Sequence, residues 1–103
     1  MQTRVVTMTE QGSPSVMSVN TVDIELPSEG EVQIKQNVIG FNYMDIYQRS
    51  GLYPLDLPSG VGLEAAGTIK AIGANVDEFN VGDRVAYATA PQGAYAEYRN
   101  FPA

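Results

Sequence analysis

Short apolar runs, each broken within about ten residues by glycine, proline or asparagine, set the organisation of this chain. Thr3–Met8 holds Val5 and Val6 and stops at the turn-like Gln11-Gly12-Ser13-Pro14. Val16, Met17 and Val19 begin a second extended run, which Val22, Ile24 and Leu26 continue as far as Pro27. The best-patterned stretch opens at Gly30-Glu31: Val32, Ile34 and Val38 share one parity, and Gln33, Lys35 and Asn37 the other. Period-two alternation of that length predicts a half-buried antiparallel strand with its apolar set turned inward.

The pattern changes at Asn42. Its side chain is suited to accept the N–H of Met44 or Asp45, and Asp45 falls at the third helical position, where a carboxylate meets free amides and the positive end of the helix dipole. Gly51 suits the left-handed residue that ends a helix, and Pro54 bars continuation. The predicted helix spans roughly eight residues, about 12 Å, too short to be stable without a sheet beneath it. Pro58–Gly62 reads as a loop, and Val61–Ile72 as extended structure rich in Ala65, Ala66 and Gly67, whose small side chains admit another backbone or a ligand. Gly73-Ala74-Asn75 and Val81-Gly82-Asp83 are turns, after which Arg84–Ala88 and then Gly93–Arg99 read as strands, the latter with Ala94, Ala96 and Tyr98 opposite Tyr95, Glu97 and Arg99. Phe101-Pro102-Ala103 carries no terminal element in this reading. Many short strands and one short helix predict a mostly β fold, a partly open or closed antiparallel barrel, and nothing resembles a βαβ repeat.

Composition narrows the chemistry. A chain of 103 residues is one small domain. Its net charge is −6, and Arg4, Lys35, Arg49, Lys70, Arg84 and Arg99 are isolated from one another, so no basic stripe tracks a phosphate backbone and nucleic acid is not an expected partner. No apolar run approaches the about 18 residues of a membrane span, and no secretion signal opens the chain, which makes the cytoplasm the expected place. There is no cysteine and no histidine, hence no thiolate nucleophile, imidazole base or soft metal ligand.

The polar and aromatic residues Asn42, Asp45, Tyr47, Arg49 and Tyr53 crowd the predicted helix and its exit, which marks the region as a candidate binding site. Tyr43 and Tyr47, four apart, share a face that either packs on the sheet or lines a planar ligand. Asp45 is a cap and a candidate carboxylate. Glu64, among Leu63, Ala65 and Ala66, is expected to be desolvated unless paired, with Arg49 or Arg84 as the available cations; a structural ion pair and acid duty both stand. Gly60-Val61-Gly62 lacks the third glycine of a dinucleotide turn and precedes extended structure.

Three ordered motifs resemble one family. Gly40-Phe41-Asn42-Tyr43-Met44-Asp45-Ile46-Tyr47-Gln48-Arg49-Ser50-Gly51-Leu52-Tyr53-Pro54 is the first, and Leu57-Pro58-Ser59-Gly60-Val61-Gly62-Leu63-Glu64-Ala65-Ala66-Gly67 the second. Gly82-Asp83-Arg84-Val85-Ala86-Tyr87 with Gly93-Ala94-Tyr95-Ala96-Glu97-Tyr98 is the third. Together, from Thr3 to Phe101, they resemble the N-terminal part of zeta-crystallin-like, zinc-independent NADPH:quinone oxidoreductases of the medium-chain dehydrogenase/reductase superfamily. The resemblance implies a GroES-like catalytic domain over residues 1–103, a Rossmann cofactor domain elsewhere in the same enzyme, a homodimer, NADPH as cofactor and a quinone-like acceptor. Zinc-dependent relatives place a cysteine where this chain has Asn42 and a histidine where it has Leu63, and their four-cysteine loop falls where Ala88–Gln92 passes directly to Gly93, so no metal site is expected. Carried over by position, Asn42 and Tyr47 fall beside the nicotinamide and substrate, as catalytic and cofactor-binding residues, and Arg49 and Tyr53 on the rim of the same cleft. The alternative is a freestanding GroES-like binding or structural domain without activity.

Overall fold

The computed structural model describes all residues from Met1 to Ala103. The elements run β1 (Gln2–Met8), β2 (Met17–Asp23), β3 (Glu31–Ile39), α1 (Tyr43–Ser50), β4 (Ser59–Gly60), β5 (Glu64–Ile72), β6 (Arg84–Ala88) and β7 (Tyr98–Pro102), with a 3-10 turn at Pro14–Val16. They make two antiparallel sheets, one in the order β2-β1-β4 and one in the order β6-β5-β3-β7. The arrangement is open and mostly β, as the turn spacing predicts. No helix is long and apolar enough to cross a membrane.

β3 is the centre of the larger sheet. It pairs with β5 from Val32↔Ile72 to Ile39↔Ala65 and with β7 from Glu31↔Pro102 to Lys35↔Tyr98. Val32 and Ile34 enter the core with Ile69, Val76 and Phe101, and Phe79, Val85 and Tyr87 pack against it. The expected parity then fails. The register shift between Gln36 and Val38 breaks the alternation along β3, so Val38 stands 66% exposed, and Gln33, on the face opposite Val32 and Ile34, is buried as well. An irregular pairing re-aims every side chain beyond it, which residue alternation alone does not show. Buried Gln33 is satisfied by donating to Glu25 O at 3.2 Å and to Asn100 Oδ1 at 3.3 Å.

Other expectations need correction. β2 ends at Asp23 and turns Val19 and Val22 outward, because it is an edge strand covered on neither face by the core. The segment expected as a loop at Pro58–Gly62 contains β4, which pairs with the end of β1 through Thr7↔Gly60 and Met8↔Ser59. The last strand starts at Tyr98 and takes in Phe101 and Pro102.

Residues 94–97 serve instead as a seam between the sheets. Val6 N–H donates to Tyr95 O at 2.8 Å, Glu97 N–H to Arg4 O at 3.0 Å, and Gln36 N–H to Glu97 O at 2.8 Å. Arg4 and Glu97 add a two-pronged pair, Nε to Oε1 and Nη2 to Oε2, both 3.1 Å. Its exposure makes it worth little in stability, but it fixes register across the seam. The hydrogen bonds from the Arg4 side chain, and then from its backbone N–H, hold the Glu97 carboxyl below the usual glutamate range. With a depressed folded value, the pair's contribution is complete above the ordinary glutamate pKa and is lost as pH falls through the lowered one.

Two measurements test this architecture. In Gly67→Ala the new Cβ would lie 2.1 Å from Lys35 O and 2.9 Å from Gln36 Cα, both backbone atoms that cannot give way. Urea unfolding should show a loss of about 2 kcal/mol or more at unchanged slope, and a neutral result would refute the close crossing of β3 and β5. Carboxyl-detected NMR titration should place Glu97 below the ordinary glutamate range, and Arg4→Gln should raise it part of the way back, the Arg4 backbone N–H still holding it down.

Candidate functional site

α1 begins and ends at the residues the sequence predicts, but the Asn42 side chain does not make the expected hydrogen bond to a helix N–H with full geometry. Asn42 is extended (φ −134°, ψ 153°), Asp45 occupies the third helical position, and Gly51 closes the helix in the left-handed region at φ 96°. Asn42 and Asp45 stand in the arrangement of a capping box, and the member with full hydrogen-bond geometry is Asn42 N–H donating to Asp45 Oδ2 at 3.2 Å. The Asn42 carboxamide meanwhile donates from Nδ2 to Glu64 Oε2 at 2.8 Å. Glu64 is therefore exposed and bound to an amide, not buried and paired with Arg49 or Arg84. Its position at the very start of β5, on the sheet's rim, leaves it in water despite its apolar neighbours.

The helix docks by its polar face. Its one buried residue is Asp45, 3% exposed, whose Oδ2 also accepts the Tyr95 hydroxyl at 2.7 Å. Burial first, then the hydrogen bond to Asp45 and its charge, push the Tyr95 hydroxyl well above the usual tyrosine range, so it remains a donor at neutral pH. Asp45 Oδ1 is buried with no hydrogen-bond partner. Under the Tyr95 ring lies Gly62, at φ 96°, where a Cβ would come within 2.5 Å of Tyr95 Cδ1. At the other end Gly12 N–H donates to Arg49 O at 2.7 Å and Gln11 Nε2 to Gln48 O at 2.8 Å, which satisfies carbonyls that the last helical turn leaves free. The Arg49 guanidinium donates to Gly12 O, and Gln11 Nε2 also reaches Tyr53 O at 2.9 Å.

The aromatic face is left open. Tyr43 is 74% exposed and stacks on Tyr47 with ring centroids 6.4 Å apart, and Tyr53 meets Tyr47 edge-on at 5.6 Å. These rings do not form a core against the sheet. The structure thus brings Tyr47 and Tyr53 together, places Arg49 in the Gln11–Gly12 turn, and sets Asn42 apart at the head of the helix, about 7.5 Å along the axis from Tyr47. Beside Glu64 a hollow of about 380 Å³ is walled by Val38, Tyr87 and the small residues Gly40, Ala65, Ala66, Ala86 and Ala88. A larger hollow of about 540 Å³ lies across Gly40, lined by Val5, Val19, Ile39, Phe41 and Tyr95. No group of three or more His, Cys, Asp or Glu side chains converges as a metal site would require. The Asp45–Tyr95 pair was not legible in sequence, since its partners lie 50 positions apart.

The profile of the alcohol dehydrogenase GroES-like domain matches residues 28–103. A quinone oxidoreductase of Pseudomonas aeruginosa is 49% identical over 87 residues, which cover 84% of this chain and 27% of that protein. The 2-haloacrylate reductase of a Burkholderia species is 36% identical over 98 residues, covering 91% of this chain and 29% of its own. The crystal structure of Escherichia coli quinone oxidoreductase complexed with NADPH superposes with a TM-score of 0.91 at 40% identity, covering 97% of this chain and 31% of that one. The chain thus spans about a third of the length of the relatives it matches.

Gly40→Ala tests the contact at the head of the helix. The added Cβ would fall 2.7 Å from Glu64 Cδ and Oε2, the end of a flexible, exposed side chain. Thermal melting should change by under about 1 kcal/mol, while the Asn42 side-chain amide resonances move as Glu64 is displaced. Unmoved resonances would show that Glu64 does not hold this amide in solution.

Proposed function

Because the chain belongs to the alcohol dehydrogenase GroES-like family, as the GroES-like domain of a zinc-independent, quinone-oxidoreductase-type medium-chain dehydrogenase/reductase, we propose that it forms one wall of the cleft in which a longer enzyme reduces quinones or related conjugated carbonyls with NADPH. The relatives' names support this acceptor class, one being a quinone oxidoreductase and another a 2-haloacrylate reductase. In this reading residues 1–103 are the catalytic domain, a Rossmann domain of the same enzyme holds most of the cofactor, and the full-length protein is a cytoplasmic homodimer.

One observation carries the site assignment. α1 uses its polar face to hold the body and leaves its tyrosine face open, with Asn42 at its head held by Glu64. The residues present suit a nicotinamide: a fixed carboxamide at Asn42, small residues beside Glu64 against which a flat ring can lie, and no thiol or imidazole to compete. NADPH, when bound, supplies the hydride. The protein's own part is alignment and exclusion of water. Asn42, steadied on one side by Glu64, offers its remaining donor and acceptor to orient the nicotinamide amide or the acceptor carbonyl. The half-buried Tyr47 hydroxyl donates to the acceptor oxygen as negative charge builds there, and the rings of Tyr43 and Tyr53 keep Tyr47 in place. Arg49 and Tyr53 stand at the rim.

Tyr47→Phe in the full-length enzyme is the test. The ring and its stacking remain, and the hydroxyl is lost. Quinone reduction should fall ten- to a hundred-fold, the equivalent of about 1.5–3 kcal/mol, at an unchanged melting temperature. Full activity in this variant would reduce Tyr47 to packing and move the chemistry elsewhere.

A further inference from the structure

We propose that Asp45 and Tyr95 are positioning residues that aim the Asn42 side chain into the cleft, a role that rests on the assignment of Asn42 to that cleft. A buried carboxylate with one oxygen left without a hydrogen-bond partner is a costly way to dock a helix, when an apolar side chain would bury at a gain. What the carboxylate does that an apolar group cannot is join two fixed points. Its Oδ2 takes the Tyr95 hydroxyl at 2.7 Å and the Asn42 N–H at 3.2 Å on the same atom.

Each point is rigid for its own reason. Tyr95 belongs to the seam, its N–H donating to Val61 O at 2.8 Å and its C=O accepting from Val6, and its ring rests on Gly62, where no Cβ would fit. The Asn42 backbone is extended and begins the helix, so the direction of its side chain follows from where its N–H is tied. The chain of contacts runs from the seam through the Tyr95 hydroxyl and the Asp45 carboxylate to the Asn42 backbone. It ends at the Asn42 carboxamide, which then meets Glu64 at 2.8 Å. Tyr95 does not line the hollow beside Glu64. It acts at a distance, through Asn42.

A role in aiming Asn42 differs from a role in stability by its dependence on Asn42. In the full-length protein we compare Tyr95→Phe, Asn42→Ala and the double variant, and solve the structure of Tyr95→Phe. Phenylalanine keeps the ring over Gly62, so the seam stays packed. Tyr95→Phe should lower kcat about tenfold, and the double variant should be no slower than Asn42→Ala alone. In the Tyr95→Phe structure, Asn42 Nδ2 should have left hydrogen-bond reach of Glu64 Oε2. Losses that multiply in the double variant, or an Asn42–Glu64 contact that persists without the hydroxyl, overturn the proposal. Full activity of Asn42→Ala would remove Asn42 from the chemistry, and the Tyr95→Phe structure would then decide the positioning role by itself.

Discussion

The two sheets share no strand, and their relation depends on the backbone of residues 94–97, which donates to one sheet and accepts from both. A segment outside any regular strand is held there by a half-buried side-chain network. Gln36 Nε2 donates to Ala94 O and to Ala96 O, each at 2.8 Å, and Gln36 Oε1 accepts the Tyr87 hydroxyl. Arg99 in turn donates to that hydroxyl at 3.3 Å and lies over the Phe101 ring at 4.9 Å, while its other nitrogen holds Pro91 O and Gln92 O. Inside a protein such a network gains strength only if every member is satisfied. Here one glutamine, pushed inward next to a register shift of β3, satisfies two carbonyls that no ladder reaches.

The same network explains which features of the fold the sequence reveals. Asn42, Asp45 and Gly51 are legible because cap chemistry acts over three or four residues, and the helix has the ends that chemistry dictates. Val32 and Ile34 are legible as core for the same reason of short range. Val38 is not, because a bulge flips its parity, and a bulge is a property of a pair of strands, of which a sequence shows one at a time. Glu64 reads as buried from its neighbours and is exposed because it stands at a strand's first position on the rim. Asp45 reads as a cap, and its burial could not be read because Tyr95 arrives from the far end of the chain. At the site, Asn42, Tyr47 and Tyr53 were visible as a cluster of polar and aromatic residues. That Tyr47 and Tyr53 touch while Asn42 turns toward Glu64 could be seen only in three dimensions.

Amphipathic helices ordinarily bury an apolar stripe and wet a polar one. α1 does the reverse, with Asp45 inward and Tyr43 outward. This inversion links fold to function more directly than the architecture does, since a GroES-like fold by itself specifies no chemistry. An aromatic face that is not needed for docking is available to a flat ligand or to whatever closes the cleft.

The lack of cysteine and histidine has a second meaning if the acceptors are quinones or conjugated carbonyls. Such molecules are soft electrophiles that add readily to thiolates and imidazoles, and an enzyme that handles them is exposed to alkylation by its own substrate. In the proposed cleft, Asn42, Glu64 and three tyrosines would offer an amide, a carboxylate and phenols in place of thiols and imidazoles. A composition without cysteine or histidine thus also gives this surface no thiol or imidazole to be alkylated, and repeated turnover of a reactive acceptor would spare it that modification.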